Sequence, residues 1–479
     1  MAISLSGGVS FAGGVTVVPP PYYGAFTSSP ASPSGGVTVT VSAVVNAAVG
    51  QTYNLYVYDV NSSQVASASG TVTANPQTIT TTFTSNYSVQ PYSSTFKVTE
   101  LAIENLSITI SPPPAKLYAW GRNSSAQLGT GDALPRSSPV QIGSATNWST
   151  VSCCLTATTA IQQDGTLWNW GVNGPGGQLA NLANHSTPAQ VGSDTNWKLI
   201  TGSRYGWNAL KTTNIRYYWG YSRYNELGNG IDEGGSGTVY SNPTQVSGTS
   251  AAWTWTKVVE NGTWGAGIRS TGTLWTWGNG LYSGLSYGSP NPVQITAGGT
   301  GYSDFTQVAA GYNYLLAIRS NGTLWTIGQN SFGQGGTNDT NNHTNDSASL
   351  VQVGGDTNWA LVACLGYTSL AVKTNGTLWA WGRNNNGQLG LGDTADRSSP
   401  TQVGALTTWS VLPTVPEGNT ASGAAIRNDG TLWLWGFNYF GQLGLGDTTN
   451  RSSPTQVGSG TGWSSITIGS YSCFATSGQ

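Results

Sequence analysis

The sequence predicts an all-β protein: a seven-bladed β-propeller preceded by a small antiparallel β-sandwich and a glycine-rich N-terminal docking arm. Three observations carry this reading. First, DGTLWLWG (residues 429–436) recurs as NGTLWAWG ending at Gly382, NGTLWTIG at Gly328, TGTLWTWG at Gly278, NIRYYWG at Gly220, DGTLWNWG at Gly171 and LYAWG at Gly121. These seven copies are spaced 49 to 58 residues apart, a period typical of propeller blades or solenoid units. Second, Leu432 and Leu434 alternate with Trp433 and Trp435, the period of a strand buried on both faces, which selects blades over helical coils. Third, the last repeat runs out after WSSITIGSYSCFATSGQ without a TLWxWG strand, while the first opens at Lys116 with LYAWG and lacks the strands that should precede it. Each end completes the other, and a blade shared between them seals the ring and removes two open sheet edges.

In chain order, residues 1–36 read as the arm and its linker. Ile3, Leu5, Val9 and Phe11 alternate with small polar groups and Gly-Gly pairs; strands this short bury too little surface alone, so they are expected to order by pairing with another chain, as docking arms do. A triple proline at 19–21 and the Pro/Ser/Gly run to Gly36 form a stiff, solvated linker. Residues 37–115 hold five or six Thr/Val-rich alternating runs, suited to an immunoglobulin-like sandwich without its Cys...Trp...Cys signature, and end on a second triple proline. Residues 116–479 are the propeller.

Composition narrows the function. Charged residues make up 8% of the chain and the net charge is -2, against about 25% charged in ordinary soluble domains. This leaves no basic field to hold a phosphate backbone, which argues against nucleic acid as a partner. The opening MAISLSGGVSFAGG has neither the basic start nor the apolar run of a secretory signal, and no stretch is long enough to span a bilayer. The four cysteines, Cys153, Cys154, Cys364 and Cys473, lack zinc spacing and are expected to be buried free thiols.

The unit GTLWxWGxNxxGQLGLGD...SSPTQVG...W resembles the repeat of the regulator-of-chromosome-condensation family, whose members form seven-bladed propellers. Its core appears as WGRNSSAQLG at 120–129, WGRNNNGQLG at 381–390 and WGFNYFGQLG at 435–444. The family's histidine in the GxxH turn is absent here. In the family one inserted loop on a blade can reach a partner. The longest departure in this chain, GNGIDEGGSGTVYSNP at 228–243, does not match that loop, so nucleotide exchange on a small GTPase is not carried over.

Most tryptophans fall at two repeat phases, the TLWxWG strand and the TNW or TGW opening of the next, and are assigned to packing between blades. Trp207 and Trp264 break phase. They fall where the family has GxxH, and other blades place Arg204, Tyr205, Tyr312, Tyr314, Tyr367 and Tyr471 in that turn. By analogy these turns gather around the channel, where rings interleaved with Asn208 and Asn313 could stack on sugar faces while the amides bond the hydroxyls. The bland alternative is that they plug the channel or cap blade ends.

No catalytic residue is assigned. Asp132, Asp393 and Asp447 are each followed four residues on by Arg136, Arg397 or Arg451, which reads as a repeated loop staple. His185 and His343 lie in different repeats, so no triad or metal site assembles, and neither metal nor cofactor is expected. Glu226, Asp232, Glu233 and Glu260 are the non-repeat acids that a glycan-cleaving alternative would need. The expectation that follows is a non-enzymatic virion structural protein of a tailed bacteriophage, a tail fibre or decoration protein. It would be a homo-oligomer at the particle surface, bound to other virion proteins through its arm and to a host glycan or protein receptor through its propeller. The opening SLSGGVSFAGG resembles arms of phage structural proteins. The alternative is a cellular interaction or inhibitor module of the same propeller family.

Overall fold

Each TLWxWG run forms the third strand of a four-stranded antiparallel blade, and its burial explains its composition. Leu432, Leu434 and Trp435 are buried and Trp433 is half-buried, a pattern repeated at Leu167–Gly171, Leu274–Gly278, Leu324–Gly328 and Leu378–Gly382. The computed structural model describes residues 115–478 apart from 173–183, 204–205, 223–227, 230–236, 247–252, 280–288, 297–299, 344–349 and 417–419. Before residue 115 it describes only the backbone of eight strands between Ala2 and Ser111. The docking-arm residues Ile3, Leu5, Val9 and Phe11 and the packing of a sandwich over 37–115 lie outside the described side chains.

Seven four-stranded sheets form the ring. Blades 1 to 6 span 148–191, 197–245, 255–294, 305–352, 359–402 and 409–456, each with its strands in sequence order across the sheet. Blade 7 is built from both ends of this region, in the order Arg136–Gln141, Lys116–Gly121, Ser472–Ser477, Trp463–Ile468. The seam pairs Lys116 with Ser477 through to Gly121 with Ser472, so the predicted closure is present. Each first strand carries a register shift just after its opening aromatic residue, as between Trp255 and Lys257. Such bulges bend and twist the strand locally.

Neighbouring blades are locked by one recurring contact. The tryptophan just before the glycine of the third strand donates its indole N–H to the glutamine carbonyl of the preceding blade's GQLG-type loop at four junctions: Trp120 to Gln442, Trp170 to Gln127 and Trp435 to Gln388 at 2.8 Å, and Trp381 to Gln334 at 2.9 Å. The glycine two residues after that glutamine has positive φ and lies under the indole; at Gly390 a Cβ would stand 2.9 Å from the Trp435 nitrogen. Only glycine satisfies both demands.

The three repeated acids are the loop staples their spacing predicts. Asp393 Oδ2 accepts from Arg397 at 2.6 Å while its Oδ1 accepts from the Ala395 N–H at 3.0 Å and the Asn384 amide at 3.0 Å. The Asp132–Arg136 and Asp447–Arg451 pairs close at 2.5 Å. In blade 4 a histidine takes the arginine's place, with His343 Nε2 at 3.7 Å from Asp339. The backbone N–H of Leu134, Ala395 or Thr449, and then the partner arginine, hold these three carboxyls below their ordinary value. A carboxyl depressed in the folded state stabilises above its unfolded value of 3.8 and loses that contribution as pH falls through the lower, folded one. The melting temperature is therefore expected to fall as pH drops below about 4, and less steeply in a D132N/D393N/D447N triple variant; equal slopes by calorimetry would refute the assignment.

All four cysteines are buried thiols outside any disulfide. Burial pushes the Cys364 thiol up to about 12 and raises Cys473 further in the same direction.

Candidate functional site

Because strands alternate in direction, the turn between first and second strands and the loop between third and fourth share one face of the ring. The opposite face carries the DG-type turns and the links between blades. There a cation at the end of the second strand lies over aromatic rings: Lys373 over Trp379 at 4.0 Å, Lys211 over Tyr217 at 4.6 Å, Arg269 over Trp253 at 4.3 Å and Arg319 over Tyr302 at 3.5 Å. Asp356 pairs with Lys373 at 2.8 Å and Asp194 with Lys211 at 2.7 Å, so these cations are spent on holding the blades.

The first face is different. At the junction of blades 6 and 7, Phe440 from the WGFNYFG loop packs on Tyr471 at 4.8 Å and on Tyr439 at 5.0 Å, and Tyr439 stacks on Phe437 at 6.3 Å with 14° between planes. Arg122 lies 5.7 Å from the centroids of both Phe440 and Tyr471. At the junction of blades 4 and 5 the same positions recur: Phe332 meets Tyr367 at 5.0 Å, Tyr312 adds a third ring at 5.2 Å, and Arg383 lies 4.9 Å over Phe332. Tyr439 is 69% exposed, and the other rings and both arginines are half-buried. The rings are held in place by the buried asparagine of the same loop. Asn438 Oδ1 accepts from the Leu443 N–H at 2.8 Å, and its Nδ2 donates to the carbonyls of Asp447 at 3.1 Å and Thr449 at 3.0 Å.

The structure divides the candidate residues from the sequence. Tyr312, Tyr367 and Tyr471 stand in the turns and form the two clusters. Trp207, Trp264 and Tyr314 do not: each belongs to a second strand, at Gly206–Lys211, Trp264–Arg269 and Tyr314–Arg319, and each is at most 1% exposed. The strands begin earlier than the GxxH analogy suggested, which turns these rings between the blades. Trp207 stacks on Trp219 at 6.3 Å, and the Tyr314 hydroxyl donates to the Thr368 carbonyl at 2.9 Å in the next blade. A ring with no open face cannot stack on a ligand, so these three are corrected to core. Arg204 and Tyr205 lie outside the described residues.

Asn208, expected beside the channel, is buried and donates to Glu260 at 2.5 Å. Glu260 is itself buried, and its charge acts on Arg216, whose guanidinium lies 4.2 Å over Trp277 and is lowered to about 10 by burial, with Glu260 opposing. This acid is thus part of a contact between blades 2 and 3. Glu226, Asp232 and Glu233 lie outside the described residues. Among the described residues no group of three His, Cys, Asp or Glu could hold a metal ion, and no helix is long and apolar enough to cross a membrane.

Sequence reading missed Phe332, Phe440, Tyr439, Arg122 and Arg383. The available signal was the aromatic residue immediately before the glycine in WTIGQNSFGQ and WLWGFNYFGQ.

Fold and site together define a closed seven-bladed propeller with two aromatic and arginine clusters on one face. Its repeats are of the regulator of chromosome condensation type. The family profile described as "Regulator of chromosome condensation (RCC1) repeat" matches residues 115–161, 375–411 and 429–476, and a second profile of that description matches 305–334 and 360–388. The chain is 27% identical over 355 residues to the Ultraviolet-B receptor UVR8 of Arabidopsis thaliana, covering 70% of this chain and 76% of that protein. It is 25% identical to the mitochondrial RCC1 domain-containing protein RUG3 of the same plant, covering 73% and 84%. Among solved structures, human WBSCR16 aligns with a TM-score of 0.66 at 18% identity over 76% of this chain and 98% of that one. Prp20p of Saccharomyces cerevisiae aligns at 0.64 and 19% over 77% and 92%. At such identities the structural likeness shows the fold alone.

Proposed function

We propose that this chain is a non-catalytic interaction module that binds a protein partner on the face carrying the two aromatic clusters. The observation that carries the proposal is the recurrence of a solvent-facing Phe–Tyr–Arg group at equivalent places in two blade junctions, one of them bearing Tyr439 at 69% exposure. Aromatic rings and arginine are the residues that dominate binding energy at protein interfaces, and rings already packed against each other lose little freedom when covered. Relatives named as a receptor and as regulators support this reading over an enzymatic one. They are cellular proteins, so a cellular setting takes precedence over the virion setting expected from composition. The Prp20p structure is titled for its binding to Gsp1p and histones, which is said of that protein and illustrates a propeller of this repeat type engaging proteins.

A photo-crosslinking residue at position 439 tests the face. Crosslinks to a discrete protein are expected from 439 and not from 406, an exposed position on the opposite face, and F440A/Y471A should weaken capture at least tenfold. Equal labelling from both positions, or crosslinks that disappear only when glycans are removed, would sink the proposal.

A further inference from the structure

We infer that the central channel holds a binding site for one small, singly charged carboxylate, with Lys257 as its cationic anchor and Gln307 beside it. The first strands of the blades enclose a cavity of about 110 Å³, where roughly 10–15 Å³ of such space admits one water, so a formate or acetate ion has room. The lining is mostly aliphatic, with Leu199, Val259 and Leu361 among it, and Thr150 and Thr201 add hydroxyls. Among the described residues of this lining, Lys257 is the one cation and no Asp or Glu accompanies it.

The lysine is half-buried, and its ammonium donates to Gln307 Oε1 on the adjacent blade. A neutral amide satisfies one of three donors and none of the charge. Burial lowers the Lys257 ammonium to about 8. Cys364, the other ionisable side chain of the lining, is held neutral by burial at about 12 and offers no counter-charge near neutral pH.

An oxyanion beside Lys257 would take the remaining ammonium donors and could accept from the Gln307 amide N–H, neutralising the charge where water is scarce. A second negative charge would stand unpaired against aliphatic walls, which selects monoanions. Blade 6 contributes Leu412, Pro413, Thr414 and Val415 to the same cavity, and the Thr414 N–H donates to the Ile466 carbonyl at 3.0 Å. The wall is thereby tied across to blade 7. The site is independent of the partner face.

The test is a sodium formate titration of the full chain, its lysines labelled with ¹³C at Cε by biosynthetic incorporation so that the ammonium N–H groups stay intact, followed by NMR at constant ionic strength set with sodium chloride. The Lys257 signal, assigned by its loss in K257R, is expected to move saturably and its titration midpoint to rise from about 8 to about 9 or above. In Q307E, which supplies a carboxylate internally, the midpoint should already be raised and formate should move nothing. An absent or non-saturating response in the native chain, the same response to chloride alone, or an undiminished response in folded Q307E would each overturn the inference.

Discussion

Replacing Phe474 with alanine is expected to destabilise the propeller by about 3–5 kcal/mol, the range for truncating a fully buried aromatic side chain. Phe474 is the middle of the seam strand Ser472–Ser477, is 0% exposed, and its ring meets Trp170 of blade 1 at 6.4 Å. It therefore holds blade 7 to its neighbour as well as filling the core. Its backbone pairs with Ala119 on the N-terminal side of the seam, so a cavity at this point loosens the pairing of the two segments that close the ring. Urea denaturation should show a lower midpoint, with early exposure of Trp120 and Trp463, the tryptophans of the same blade. F440A, at the exposed cluster, should shift the midpoint far less. Comparable shifts for the two variants would mean that closure does not limit stability.

The second large effect is expected at Asn438. N438A removes the acceptor of the Leu443 N–H and the donor to the carbonyls of Asp447 and Thr449. Leaving buried polar groups without partners costs about 1–3 kcal/mol each, and partial access of water to this loop brings the expected total to roughly 2–4 kcal/mol. N438D should be no milder. It keeps the acceptor but sets a carboxylate against Asp447, whose Oδ1 now accepts from the Asn438 amide at 3.1 Å. Because the loop also carries Tyr439 and Phe440, both variants should lose crosslinking at 439 along with stability. F440A, which leaves the Asn438 contacts in place, should weaken crosslinking at 439 while melting close to the native protein. If N438A melts like the native chain, the asparagine is not the support of that loop.

Much of the propeller is legible in the sequence because ring closure forces repetition. The LWxWG strand is buried on both faces, with a tryptophan before its glycine in every blade but the fourth, where Ile327 stands, so it recurs with little change, and the missing strands at the two ends of 116–479 identify the seam. The Asp–Arg staples were equally plain, since a four-residue spacing inside one loop is local chemistry. The candidate site was read only in part. Whether a ring points outward or between blades depends on where a strand begins, and a difference of one or two residues buries Trp207, Trp264 and Tyr314 while leaving Tyr312, Tyr367 and Tyr471 at the surface. No local pattern records that boundary. Phe332 and Phe440 were in plain view but belong to a variable loop position, and their partners Tyr367, Arg383, Tyr471 and Arg122 come from the following blade, a juxtaposition created by the ring. Lys257 was invisible for a related reason: a lysine in an alternating strand reads as solvent-facing until the strand is known to line an enclosed channel.

The direction of pairing at the seam has a mechanical consequence. Ser477 lies opposite Lys116, so tension applied to the chain just outside these two residues would act on the same end of the paired segments. The contacts would then yield in succession, as in peeling tape, instead of resisting together as they would under shear. A load between the two attachment points should open blade 7 at low force and leave the other six to give way later, each at a higher one.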